Sequence, residues 1–128
     1  MPRTNGGIIG KRNVTSFGKN TQTTRTSSTP SAVTTQPGTR LVKALVVAGG
    51  GSGAGARGGG GGAGGLRNIS CISVSGNTAL GAVTIGAGAS GNSNGNGSAG
   101  SNSSVVIGCT TYTSIGGGFG RSLNGPGT

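Results

Sequence analysis

Residues 49–65 read GGGSGAGARGGGGGAGG: twelve glycines, three alanines, one serine and one arginine. A stretch with so few side chains cannot join an ordinary hydrophobic core. Glycine also loses more conformational freedom on folding than any other residue. The run is therefore either a flexible linker or a segment ordered through its own backbone, whose donors and acceptors must then be met by neighbouring segments. Polyglycine can form a left-handed extended helix with three residues per turn and no internal hydrogen bonds. Its N–H and C=O groups point sideways, so several such helices can pack and bond to one another. In that arrangement Ala and Ser are expected at the periphery, with Arg57 projecting outward.

The rest of the composition agrees. The 128 residues include 32 glycines, and Leu, Ile, Val and Phe together number only 23. That is below the usual globular range. Order must come from backbone lattices, from association of copies, or from a surface on which the chain lies. There are ten Lys and Arg residues and no Asp, Glu or His, so no cation can find a side-chain anion within the chain. Seven of the ten (Arg3, Lys11, Arg12, Lys19, Arg25, Arg40 and Lys43) fall within residues 1–43. The asymmetry implies an acidic partner for the N-terminal region, either nucleic acid or an acidic protein shell; plain solubility charge is the bland alternative.

Flanking segments set the architecture. Residues 41–48 (LVKALVVA) form an apolar run ended abruptly by glycine, the pattern of a buried strand. Residues 66–75 (LRNISCISVS) alternate, with Ile69, Cys71 and Ser73 on one face and Ser70, Ile72 and Val74 on the other. Residues 79–85, 104–107 and 110–115 are further strand candidates, and a Gly/Ser/Asn block spans 87–103. Residues 1–40, rich in Thr, Ser and Gln with Pro30 and Pro37, favour extended backbone over helix. The expected fold is mostly β and irregular with little or no helix. An extended basic arm (1–40) precedes a glycine-rich β/polyglycine-type domain (41–128), ordered only in an assembly. Cys71 and Cys109 either form one disulfide or sit as two buried free thiols.

The inventory excludes most chemistry. Without carboxylate or imidazole there is no side-chain acid–base pair. The many Ser and Thr have no His partner, and two cysteines are too few for a metal site. We therefore expect no enzyme, no cofactor and no metal. Residues 1–10 lack the apolar core of a secretory leader, and no stretch approaches the roughly 20 apolar residues of a membrane span.

The block order carries a resemblance. LVVAGGGSGAGARGGGGGAGGL (45–66), VTIGAGASGNSNGNGSAGSNSSV (83–105) and TTYTSIGGGFG (110–120) together resemble the glycine-rich domain of bacteriophage virion surface proteins, of the tail-fibre, adhesin-like or head-appended kind. The likeness covers residues 41–128. It implies a virion structural protein on the outer surface of capsid or tail, docked through the arm. The docking residues would be Arg3, Ile8, Ile9, Lys11, Arg12, Phe17, Lys19 and Arg25. The assembly strand would use Leu41, Val42, Leu45, Val46 and Val47, with copies associating as a homotrimer. The partners implied are phage capsid or tail proteins and a host cell-surface receptor, with no membrane insertion. The alternative is a basic nucleic-acid-binding or condensing protein, which net charge +10 permits. Its weakness is that only Phe17, Tyr112 and Phe119 could stack on bases.

Overall fold

The computed structural model describes residues 22–28 and 33–123. Five strands form two antiparallel sheets. β1 (Leu41–Val47) pairs with β2 (Leu66–Ser73). β3 (Val83–Thr84), β4 (Ser103–Ile107) and β5 (Thr110–Ser114) make a three-stranded sheet in that order. No helix occurs among the described residues. The fold is thus mostly β and irregular. β4 and β5 are joined by the two-residue turn Gly108–Cys109, whose first position has φ +64°. That is the glycine-first pattern of a tight hairpin.

Each sheet runs on into the glycine-rich sequence without losing register. Val47 lies opposite Leu66 in the β1–β2 ladder. Beyond it, Ala48 donates to the Gly65 carbonyl at 2.9 Å, Gly51 to Gly62 at 2.9 Å and Ala54 to Gly59 at 3.0 Å. The bonds now recur every third residue, the repeat of a polyproline II helix. The same change follows β4–β5, where Gly100 donates to Gly117 and Gly97 to Gly120, both at 2.9 Å. It also follows β3–β4, where Ser101 donates to Ala87 at 3.0 Å. Five three-fold segments result: I (48–55), II (59–65), III (86–89), IV (95–101) and V (115–121). Ala56 and Arg57, with φ of 43° and 63°, reverse the chain between I and II. The centre of the glycine run is thus a turn between two packed segments, and Arg57 is exposed there.

The change of repeat lets the two layers bond to each other. In a strand, polar groups alternate to opposite sides within one sheet. In a three-fold helix they point in three directions. Segment I uses two of its three amide directions within the chain. Its Ala48, Gly51 and Ala54 amides go to II. Its Gly49, Ser52 and Gly55 amides go to the carbonyls of Ser101, Ser98 and Gly95 on IV, at 2.9–3.0 Å. Its Gly49 and Ser52 carbonyls accept from Gly117 and Gly120 on V, and its Gly50 carbonyl accepts from Ala89 on III. Segment II donates from Gly59, Gly62 and Gly65 to Arg121, Gly118 and Ile115. Of the routes to order that the composition allows, the backbone lattice is the one built here, and it is built within one chain.

Glycine is needed in this lattice for its missing Cβ. None of the lattice glycines has a left-handed φ. A Cβ placed on Gly49, Gly51, Gly100, Gly117 or Gly120 would overlap the carbonyl oxygen of Ala87, Gly118, Gly49, Gly62 or Gly59 respectively. Ala56 and Ala63 are exposed, whereas Ser52, also expected at the periphery, is buried. Ser52 fits because its Oγ accepts the Ser98 amide at 2.8 Å, so its side chain completes the lattice it interrupts. The apolar core is small: Val46, Ala48 and Ile107. Buried Ser103 accepts the Gly86 amide at 2.9 Å. No buried side-chain polar atom among the described residues lacks a partner.

Several local expectations change. β1 is not a buried strand: Val42, Ala44 and Val46 face the second sheet, while Leu41, Lys43, Leu45 and Val47 are exposed. In β2 the simple alternation breaks. Ser70 and Cys71 together oppose Lys43 in a bulge, and Cys71 takes φ +60°. The extra residue turns Ile69, Ile72 and Val74 to the same inward side, where strict alternation would have split them. Both cysteines are free and exposed, not buried. The strand expected over 79–85 divides: Ala79 bridges Thr34, Gly81 and Ala82 bond to Val106 outside the ladder, and Val83 and Thr84 pair with β4. Residues 33–40 lie against 74–80. Thr35 donates its amide to Thr78 and its hydroxyl to Ser75, at 2.9 and 2.7 Å.

Two stability predictions follow from this packing. Gly51→Ala and Gly117→Ala should each lower unfolding stability by at least about 1–3 kcal/mol through overpacking. Gly118→Ala, with nothing within 4 Å of the added Cβ, should be neutral or gain a few tenths of a kcal/mol. Urea unfolding of the three variants measures the difference. In the same assay Cys71→Gly should stabilise, since a left-handed conformation costs a non-glycine residue about 1–2 kcal/mol, against roughly 0.5–1 kcal/mol of added chain entropy.

Candidate functional site

The molecule has two chemically different ends and one apolar side. At the strand end, residues 33–40 enter beside 74–80 and the Gly108–Cys109 turn. A groove of about 460 Å³, lined by Ser73, Val74, Thr78, Leu80 and Gly108 among others, opens between the sheets there. At the far end the lattice stops at side-chain-bearing loops: the Arg57 turn, residues 91–94, and Arg121 to Leu123. Asn92 Oδ1 accepts the Asn94 amide at 3.1 Å, and Asn96 Oδ1 accepts the Ser122 amide at 2.9 Å. These bonds give the tip loops fixed shapes. From the start of β1 to the end of segment I the chain spans roughly 45–50 Å, at about 3.3 Å per strand residue and about 3.1 Å per three-fold residue.

The apolar side is the outer surface of the β1–β2 sheet. Leu41 (59 % exposed), Leu45 (63 %), Val47 (52 %) and Leu66 (66 %) stand on it. Single exposed apolar residues are ordinary, but a contiguous group of this kind marks an interaction surface. The candidate assembly residues therefore divide. Leu41, Leu45 and Val47 face outward and are brought together with Leu66, which the sequence pattern did not single out. Val42 and Val46 face the second sheet and are spent on intramolecular packing.

Of the candidate docking residues, Arg25 is exposed. Arg3, Ile8, Ile9, Lys11, Arg12, Phe17 and Lys19 lie outside the described residues. Arg40, Lys43, Arg57 and Arg121 are also exposed. Arg67 has a structural post: its Nη1 donates to the Thr113 carbonyl at 3.2 Å, and its guanidinium lies 5.7 Å from the centre of the Tyr112 ring. It clamps β2 to β5 across the two sheets. Nothing in the sequence around Arg67 or Tyr112 marks the pair, because it depends on how the sheets stack. No group of metal-ligating side chains occurs among the described residues, and no helix of the described residues is long and apolar enough to cross a membrane.

Residues 23–128 match the model of a glycine-rich domain family. That covers most of the chain, which belongs to this family. No curated protein and no solved structure matches it.

The Arg67 clamp is testable. Arg67→Ala removes a charge-assisted hydrogen bond and a cation–π contact at an exposed site and should cost about 1 kcal/mol. Arg67→Lys should recover less than half of it, because an ammonium cannot stack on the ring while reaching the carbonyl. Thermal unfolding of the two variants beside the parent chain reads both effects.

Proposed function

We propose that this chain is a bacteriophage virion surface protein, of the tail-fibre, adhesin-like or head-appended kind, and has no catalytic role. Its basic arm grips capsid or tail. Arg3, Lys11, Arg12, Lys19 and Arg25 supply charge there, and Ile8, Ile9 and Phe17 act as apolar anchors. The glycine-rich body projects outward, copies associate through the outer side of β1, and the tip loops contact the host cell surface.

The observation that carries this reading is the polarity of the molecule. The described part of the N-terminal region lies along the body, with Ser28 beside Ile85 and residues 33–40 beside 74–80 at the strand end. The lattice holds the Arg57, Asn92–Asn94 and Arg121 loops at the opposite end. A rigid spacer that holds shaped loops at one end and leaves the other end free for attachment suits a projecting appendage. Nucleic-acid binding finds less support in the same geometry. Tyr112 already lies beneath Arg67, which leaves Phe119 as the described aromatic with a substantially open ring.

Binding to purified particles that lack the chain separates the two readings. Replacing Arg3, Lys11, Arg12, Lys19 and Arg25 together by Gln should abolish co-sedimentation with particles while the body stays folded. Binding to DNA or RNA should be weak at physiological salt. Tight nucleic-acid binding that falls steeply with salt, without particle binding, would favour the alternative. For the host contact, Arg57→Ala with Arg121→Ala should reduce adsorption of assembled particles. Deleting residues 87–128 would not test this, since it removes segments IV and V from the lattice.

A further inference from the structure

The outer side of β1–β2 continues without a break into an open side of the glycine lattice. In segment I the amides of Gly50 and Gly53 form the third of the three directional sets. They donate to no acceptor among the described residues, and the carbonyls of Gly51 and Ala54 accept from no donor there. The amides of the two other directions are filled along the whole segment. Both kinds of unpaired group recur at the three-residue spacing that joins segments elsewhere in the lattice.

The same side lacks side chains where the fold would accept them. A Cβ on Gly50 would lie 3.6 Å from the Gly62 oxygen, and one on Gly53 would lie 3.4 Å from the Gly59 oxygen. Both are ordinary contacts. A Cβ on Gly60 would meet nothing within 4 Å. No left-handed φ requires glycine at any of the three. Gly51 and Gly117 need glycine because a neighbouring backbone lies against them. Gly50, Gly53 and Gly60 are bare although no such neighbour exists in the chain.

We infer that this face docks a second copy of the chain, backbone against backbone, with Leu45, Val47 and Leu66 packing at its strand end. The inference rests on the proposal that copies associate, and it specifies how. Three features select a second copy as the occupant. Unpaired donors and acceptors occur together on the face, so it is complementary to itself. A partner segment poor in side chains can lie along these amides at bonding distance, as the Gly/Ser-rich segment IV does within the chain, and this chain carries such a surface. The face is also nearly neutral: Lys43 is the one charged residue from 41 to 56, and none occurs from 58 to 66. An acidic partner would be drawn to the arm instead. A self-complementary face gives pairs about a two-fold axis, whereas the three-fold association expected from sequence would need two different faces.

Sedimentation velocity of the full chain across the micromolar range tests this, with the variant Gly50→Ala/Gly53→Ala/Gly60→Ala as comparison. The parent chain should form dimers. The variant should keep the parent's urea midpoint and associate about tenfold or more weakly, a loss of roughly 1.4 kcal/mol. Hydrogen exchange provides a readout that needs no variant, since the Gly50 and Gly53 amides should become protected as concentration rises. A parent chain that stays monomeric, a variant that associates as tightly as the parent, or amides equally unprotected at every concentration would each overturn the inference. Particle binding is scored separately. A chain that binds particles as a monomer loses this inference and keeps the virion reading, and a dimer that ignores particles does the reverse.

Discussion

Everything in this molecule depends on one constraint: a backbone with almost no side chains must satisfy its hydrogen-bonding groups with other backbone. A β-ladder meets that need in two directions only and leaves separate sheets to be held by apolar packing. This chain has little apolar material for the purpose. Past Ala48 and Ser114 it changes to a three-fold repeat, so the same polar groups reach neighbours in both layers. The apolar packing of Val46 and Ile107 joins the sheets where they are strands, and hydrogen bonds join them where they are glycine. Segment I bonds to all four of the other segments, which makes it the hub.

The glycines divide into kinds that composition cannot tell apart. At Gly51, Gly100 and Gly117 another backbone occupies the space of a Cβ, so the residue is required by contact. At Gly108 a positive φ requires it. At Gly50, Gly53 and Gly60 neither reason operates inside the chain. Ser52 shows that the lattice tolerates a side chain when that side chain completes a hydrogen bond. The pattern resembles a core in which the excluded volume is drawn in single methyl groups, and it makes the glycine-rich block as position-specific as a packed hydrophobic interior.

The body has two distinct ends. The strand layers, the glycine lattice and the tip loops occupy successive places along it. Exposed Leu41, Leu45, Val47 and Leu66 lie on one side of the strand layers. Membership of a glycine-rich domain family accords with a structural part. The proposed virion role adds where such a part would be used, and with no Asp or Glu in the sequence the ten Lys and Arg residues have no side-chain anion of their own.

The sequence by itself determined the class of solution. Residues 49–65 narrowed the choice to a flexible linker or backbone-made order, the runs at 41–48, 66–75, 104–107 and 110–115 marked the strands, and the missing His, Asp and Glu removed acid–base chemistry by carboxylate or imidazole. Of the residues expected in the assembly strand, Leu41, Leu45 and Val47 are exposed, while Val42 and Val46 face the second sheet. Tertiary structure decided the rest. The bulge at Ser70–Cys71 brought Ile69 and Ile72 to one side, and the stacking of two sheets set Arg67 on Tyr112. The turn at Ala56–Arg57 folded one glycine run into two segments. Glycine carries no hydrophobic pattern, so its periodicity is invisible until partners exist. Which of its amides are filled, and which side is left open, is settled only by which segments lie beside it.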